Sequence, residues 1–252
     1  MTVVTEQKAA LVTGGSGGIG FGLVRALVDS GYGVTVVARQ KEKLAQAIVA
    51  LDSTSARGFA ADLRNEEEID AAAAFHREAF GRLDLLVNNA GVATAAPIGD
   101  MTAKSIDLTL NINLRSVMLM TRSCTEMLLE AAPSSIFNIA SLAGLLAPAG
   151  MAAYSASKAG LIAFTDAIRN ELGARGVKAT AICPAFVDTA MSGVVHSIVE
   201  REDLIPVSDV VDIVMTLLQL SPATVVPLVA MESPKGGFLG WTEHLAGDNT
   251  SP

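Results

Sequence analysis

Tyr154 and Lys158, set four residues apart in the run Tyr154-Ser-Ala-Ser-Lys158, are a pair whose types and spacing suit acid–base chemistry. On a helix that spacing puts both side chains on one face. A phenol ordinarily titrates near pH ~10. A neighbouring ammonium stabilises the phenolate and lowers that value, which makes the tyrosine a usable acid or base nearer neutrality. Taken alone, such a pair is nearly always two surface neighbours, so its context has to carry the reading.

The context begins with Ala9-Ala-Leu-Val-Thr-Gly-Gly-Ser-Gly-Gly-Ile-Gly20, a strand-like stretch that enters a glycine-rich turn with a helix opening behind it. Glycines suit such a turn because a side chain would hold the backbone away from a pyrophosphate, and some turn positions need positive φ. The helix N-terminus adds N–H donors and partial positive charge. Gly14, Ser16, Gly18, Ile19 and Gly20 are the expected cradle. About 20 residues on, a NAD site carries an acid at the end of the second strand to hold the ribose 2′-hydroxyl. Here Val34-Thr-Val-Val-Ala38 is followed by Arg39, with Lys41 and Lys43 close behind. An arginine there accommodates a 2′-phosphate, so NADP(H) is expected ahead of NAD(H).

The elements that must position these groups can be read from the hydrophobic pattern. Short apolar runs alternate with amphipathic stretches, as in a parallel sheet covered by helices. Strands are expected at Ala9–Thr13, Val34–Ala38, Gly58–Ala61, Leu83–Asn88, Ser135–Ile139, Val177–Cys183 and Val225–Met231. Helices follow Gly18, Gln40, Asn65, Thr102, Met151 and Pro206, with long ones over Thr102–Glu130 and Met151–Ala174. No composition break divides the chain, so residues 1–252 are expected to form one α/β, doubly wound, Rossmann-like domain with a seven-stranded parallel sheet and helices on both faces. Within it, residues of about 8–90 would bind nucleotide, about 91–232 would bind substrate and carry catalysis, and 233–252 would be a tail.

The 252 residues are 50% hydrophobic and 17% charged, which allows a large core and excludes disorder for most of the chain. Aromatics are only 4%, so Ala, Val, Leu and Ile must build that core. A net charge of −8 repels phosphate backbones and argues against a nucleic-acid partner. Cys124 and Cys183 are too few for a disulfide framework and are expected as small buried residues. His76, His196 and His244 lack metal-ligand spacing, so no metal is expected, and no nucleophile elbow supports a hydrolase. The N-terminal MTVVTEQK lacks a signal-peptide layout, and the uncharged stretch Ala131–Ser157 is interrupted by Pro133, Pro148, Asn138 and five serines. The expectation is a soluble cytoplasmic protein with no membrane partner.

These pieces, in order, resemble the short-chain dehydrogenase/reductase family over about residues 8–232. The matching motifs are Thr13-Gly-Gly-Ser-Gly-Gly-Ile-Gly20, Ala61-Asp62-Leu63, Asn88-Asn-Ala-Gly91, Asn113, Ser141, Tyr154 with Lys158, and Pro184-Ala-Phe-Val-Asp-Thr189. The resemblance, closest to NADP-dependent 3-oxoacyl reductases, implies that Tyr154 gives a proton to a carbonyl oxygen while the nicotinamide carries the hydride. It implies that Ser141 hydrogen-bonds the same oxygen, and that Lys158 binds the nicotinamide ribose and depresses the phenol. Asn113 would kink its helix and hold a water leading from Lys158 to solvent. Asp62, with Leu63 beside it, would contact the adenine. Asn89, Ala90 and Gly91 would line the adenosine side, and Val187 and Thr189, beyond Pro184, would clasp the nicotinamide amide.

Two departures stand out. Ala185 replaces the glycine usual after Pro184, and the segment from Val225 lacks the usual Gly pair after an aspartate, a region that often builds a subunit contact. Pro227 inside that segment favours an edge strand. The expected substrate walls are Leu142, Leu145, Met151, Phe186, Met191, Val194 and Val195, nearly all apolar, with Gly193 as a hinge in the lid segment. They suit a small to medium hydrophobic ketone or a 3-oxoacyl thioester, reduced to the secondary alcohol. The small and apolar outer sides of the two long helices point to a homodimer or homotetramer. Two other readings compete: a NAD-dependent alcohol dehydrogenase working oxidatively, and a non-catalytic dinucleotide-binding sensor or scaffold.

Overall fold

Near-continuous apolar runs become strands where both faces are covered. The computed structural model describes residues 7–190 and 200–234. Seven strands pair in parallel: β1 (Ala9–Thr13), β2 (Gly33–Ala38), β3 (Ala56–Ala60), β4 (Leu85–Asn88), β5 (Ser134–Ile139), β6 (Val177–Pro184) and β7 (Leu228–Met231). Their order is β3-β2-β1-β4-β5-β6-β7, so the winding reverses between β1 and β4. The helices are α1 (Gly18–Asp29), α2 (Lys41–Leu51), α3 (Glu66–Phe80), α4 (Ala103–Leu110), α5 (Ser116–Glu130), the short α6 (Ala143–Leu146), α7 (Ala152–Leu172) and α8 (Val207–Leu218).

Strand side chains alternate between two cores. Val12, Val36 and Val87 pack with Leu23 and Leu27 of α1 and Val210 and Val214 of α8. Leu11, Val37 and Leu86 pack with Ile69 of α3, Met120 and Leu128 of α5 and Ile168 of α7. The doubly wound fold expected from the pattern is the one observed. Among the described residues, no helix is long and apolar enough to cross a membrane.

The boundaries differ where the pattern is weak. Edge strand β3 begins at Ala56, two residues before the expected Gly58, because exposed Arg57 and Gly58 dilute the apolar signal. The other edge strand, β7, begins only at Leu228, and Pro227 precedes it with its carbonyl accepting from the Ala181 N–H at 3.0 Å. The expected single helix Thr102–Glu130 is interrupted. Thr102 caps α4 by accepting from the Ser105 N–H at 3.1 Å, and a π-helical turn over Asn111–Arg115 separates α4 from α5. A π turn inserts one residue without changing which faces are apolar over a short span, so periodicity does not disclose it.

His76, scattered in the sequence, is a tie between layers. The Arg82 carbonyl accepts from its Nε2 at 2.9 Å, which fixes the proton there and leaves Nδ1 to accept from the Thr35 hydroxyl at 2.8 Å. The ring is fully buried, and burial pushes its pKa down to about 4, against the bond to the Arg82 backbone and the Asp84 charge. An unfolded imidazole takes up a proton near pH ~6.5 that the folded one refuses, so stability falls as pH drops through that window. Urea unfolding at pH 7 and pH 5 is expected to show a loss of about 2 kcal/mol from this group, in a range where carboxylates stay ionised. His76→Gln, less stable at pH 7, is expected to lose less than half as much over the same interval.

Candidate active site

The carboxyl ends of β1 and β4, where the winding reverses, open into a cleft of about 510 Å³. One wall is the glycine loop. Gly14 and Gly18 have φ of 65° and 53°, which a side chain rarely adopts. A Cβ at Gly17 would meet nothing within 4 Å, so the loop has an open face. Gly17 also precedes α1 with no side-chain cap and no acid in the first turn, which leaves the helix's first N–H groups to an anion. This donor set fits the phosphates of a dinucleotide. Ile19 lines the same wall, Ser16 is half-buried beside it, and Gly20 has another duty. A methyl at Gly20 would overlap the Gly14 carbonyl and the Asn89 amide, so its hydrogen permits the loop to close.

Asn89, Ala90 and Gly91 follow β4 into the cleft. The Asn89 amide donates to the carbonyls of Thr13 and Gly14 at 3.0 and 3.1 Å, and the backbone N–H groups of Asn89 and Ala90 both donate to Thr13 Oγ1. Thr13 and Asn89 therefore hold the loop from beneath.

On the opposite wall Ser141, Tyr154 and Lys158 converge, each no more than 9% exposed. Ser141 stands just past β5, while Tyr154 and Lys158 share one face of α7. The Ser141 hydroxyl bonds the Tyr154 phenol and makes a long contact of 3.4 Å to the Pro184 carbonyl. Lys158 Nζ donates to the Ile139 carbonyl at 2.8 Å and lies 5.8 Å from the centre of the Tyr154 ring. Burial pushes the lysine down to about 8, with Cys183 acting the other way. The expected depression of the phenol is not observed. Burial raises the Tyr154 pKa, and only the Ser141 bond pulls it down. The ammonium's hydrogen bond goes to the Ile139 carbonyl.

Asn113 lies inside the π turn, fully buried, and not on the cleft wall. Its Oδ1 accepts from the Val92 N–H at 2.8 Å, and its Nδ2 donates to the Val92 carbonyl at 2.9 Å and to Ser157 Oγ at 3.1 Å. The side chain thus pins the segment after Gly91, and a Cβ at Gly91 would lie 3.3 Å from Asn113 Oδ1 and 3.6 Å from Lys158 Nζ.

Pro184, Phe186, Val187, Thr189 and Met151 line the cleft. Arg39 and Asp62 stand apart from it, beyond the ends of β2 and β3. The Leu63 side chain is buried among Ala61, Ile69 and Leu86, so any cofactor contact it makes runs through its backbone. Two expected pocket residues are corrected. Leu142 sits in a small core with Tyr154, Met151 and Phe186, and Leu145 is 45% exposed, because the short turn of α6 swings it outward. Met191, Gly193, Val194, Val195 and His196 fall outside the described residues. The cleft also uses Val92, Ala93, Ala95, Ala140, Ala185 and Ala190, small residues with no chemical signal in their type.

Known proteins are similar to this chain in sequence and in fold. A family model described as short chain dehydrogenase matches residues 8–198. A 3-oxoacyl-[acyl-carrier-protein] reductase of Synechocystis sp. is 36% identical over 195 residues, covering 76% of this chain and 78% of that one. An uncharacterized oxidoreductase of Staphylococcus aureus (strain USA300) is 32% identical over 218 residues, 86% of this chain and 93% of its own. Among solved structures, a tryptophan variant of actinorhodin polyketide ketoreductase with NADPH superposes with a TM-score of 0.84 at 29% identity, over 91% of this chain and 97% of that one. A 3-ketoacyl-(acyl-carrier-protein) reductase from Brucella melitensis complexed with NADH gives 0.80 at 25%, over 89% and 97%. With a glycine loop, a Ser–Tyr–Lys wall and a family match over most of its length, the chain belongs to the short chain dehydrogenase family and is similar to its 3-oxoacyl reductases.

Proposed function

We propose that this oxidoreductase uses NADP(H) to reduce a small to medium hydrophobic ketone or a 3-oxoacyl thioester. The observation that carries the reading is the convergence of Ser141, Tyr154 and Lys158 on one wall of a cleft whose other wall is the open glycine loop. Gly14, Gly18 and Ile19 would hold the pyrophosphate, Arg39 the 2′-phosphate, Lys158 the nicotinamide ribose, and Val187 and Thr189 the nicotinamide amide. When bound, the reduced nicotinamide supplies a hydride to the carbonyl carbon. Residues of about 8–90 would thus serve the nucleotide and about 91–232 the substrate.

Tyr154 Oη gives its proton to the substrate's carbonyl oxygen as negative charge builds there. Ser141 Oγ donates to the same oxygen, and its 3.4 Å contact with the Pro184 carbonyl is weak enough to exchange. Two donors aimed at a developing oxyanion favour the transition state over the ketone. Burial, by raising the phenol, keeps it protonated near neutrality, which suits donation and the reductive direction. Asn113 fixes Val92 and the floor of the cleft, and we assign the water on the path from Lys158 to solvent to its neighbourhood. Ala93, Ala95, Met151 and Phe186 give the cleft an apolar lining that excludes water and accepts hydrocarbon. The exposed Ala156, Ala159, Ala163 and Ala167 on α7 support a homodimer or homotetramer.

Fluorescence titration is expected to give NADPH at least about tenfold tighter binding than NADH, the worth of one charge-assisted contact. Equal affinities would remove Arg39 from its role. For Tyr154→Phe, turnover of a ketone panel read at the reduced-nicotinamide absorbance is expected to fall about 10²–10⁴-fold. NADPH affinity in that variant should stay within about twofold, since the phenol proton is needed only in the transition state. A variant that turns over at the wild-type rate would end the assignment of the proton donor.

A further inference from the structure

β2 and β3 pair with Ala38 opposite Ala60, and the Ala61 N–H donates to the Ala38 carbonyl at 3.1 Å. The residues just beyond, Arg39 and Asp62, therefore stand at neighbouring strand ends, close enough for Arg39 to act on the Asp62 carboxylate. A second guanidinium is already there. Arg64 Nε lies 2.9 and 3.0 Å from the two Asp62 oxygens, its Nη2 bonds Oδ2, and its own backbone N–H donates to Oδ1 at 3.0 Å. The turn that aims it is pinned. The Asn65 N–H donates to the Asp62 carbonyl at 2.9 Å, and Arg115, paired with Glu66, reaches the Arg64 carbonyl at 3.4 Å. Glu68 accepts from the Asp62 N–H at 2.8 Å and adds a second negative charge to this corner.

An unmasked carboxylate beside Arg39 would act against a 2′-phosphate twice. It would repel the phosphate, and it would draw the Arg39 guanidinium to itself. We propose that Arg64 is a positioning residue for coenzyme choice: by chelating Asp62 it masks that charge and leaves Arg39 to a 2′-phosphate. The sequence gives no hint of this, because Arg64 reads as one more polar residue before a helix. The inference rests on the NADP(H) reading above, and it adds a residue that acts through Asp62 without touching the coenzyme.

The test is equilibrium binding of NADPH, NADH and adenosine 2′-monophosphate to the wild-type protein, R64A and D62N/R64A at low salt. R64A is expected to weaken NADPH and the monophosphate about tenfold and NADH less than about twofold, an effect that shrinks as salt screens these part-exposed charges. D62N/R64A is expected to regain most of the NADPH-to-NADH ratio, since without the carboxylate no mask is needed. Any common loss of adenine contact from D62N cancels in that ratio, and R64Q repeats the first arm with a smaller loss of bulk. An unchanged ratio in R64A overturns the proposal alone, as does a double variant that fails to recover it, which would put Arg64 on the phosphate itself. A wild-type protein that binds both coenzymes equally overturns the NADP(H) reading, and the masking role falls with it.

Discussion

An ammonium taken out of water costs several kcal/mol unless dipoles or charges replace its hydration. Lys158 is only 4% exposed, and its one close hydrogen-bond acceptor among the described residues is the Ile139 carbonyl at 2.8 Å. The neighbourhood is shaped by that requirement. Ile139 is the last residue of β5, so its carbonyl lies at the carboxyl end of the sheet within reach of α7. A Cβ at position 91 would press on Asn113 Oδ1 at 3.3 Å and touch the Nζ at 3.6 Å. The π turn over Asn111–Arg115 carries Asn113, whose side chain holds the Val92 backbone just beyond position 91.

The height of α7 above the sheet has its own lock. Asn88 and Asn138 face one another in the register of β4 and β5, with the Asn88 amide donating to Asn138 Oδ1 at 2.9 Å. Asn138 Nδ2 then donates to Thr165 Oγ1 at 2.8 Å, and Asn88 Nδ2 reaches Thr121 of α5 at 3.3 Å. All four side chains are buried, where an unpaired amide costs roughly 1–3 kcal/mol. Sliding a strand by one residue would turn these amides into an apolar layer. Thr165 is seven residues beyond Lys158, about two helical turns, and so lies on the same face of α7. The bond that fixes Thr165 over Asn138 thereby fixes Lys158 over the adjacent Ile139.

What could be read from the chain was whatever is local. The glycine loop is contiguous, the Tyr154–Lys158 spacing lies within one helix, and each strand declares itself by a few apolar residues in a row. Those features yielded the sheet, its winding and the three converging side chains. What escaped depends on partners distant in sequence. The π turn around Asn113, and the Val92 backbone that Asn113 holds across 21 residues, leave no local mark, and His76 is buried because Thr35 and Arg82 complete its ring. Leu142 and Leu145 share an apolar type, yet a single turn of helix sends one into the core and the other to solvent. The Asp62–Arg64 pair spans only two residues, but the role proposed for it depends on Arg39, which stands beyond the end of another strand.

The direction of the phenol's shift is instructive because burial acts on both partners and moves each toward its neutral form. Tyr154 goes up, so it stays an acid; Lys158 goes down to about 8. Near neutrality the pair is therefore a protonated phenol beside a lysine that still keeps most of its charge. The proposed reduction calls for a proton donor, and a phenol kept protonated by burial suits that role. Oxidation needs the phenolate, which burial opposes and which only the ammonium and Ser141 can stabilise. Drawing Lys158 off the Ile139 carbonyl toward the phenol would lower that barrier, at the cost of the ammonium's 2.8 Å hydrogen bond to the strand end.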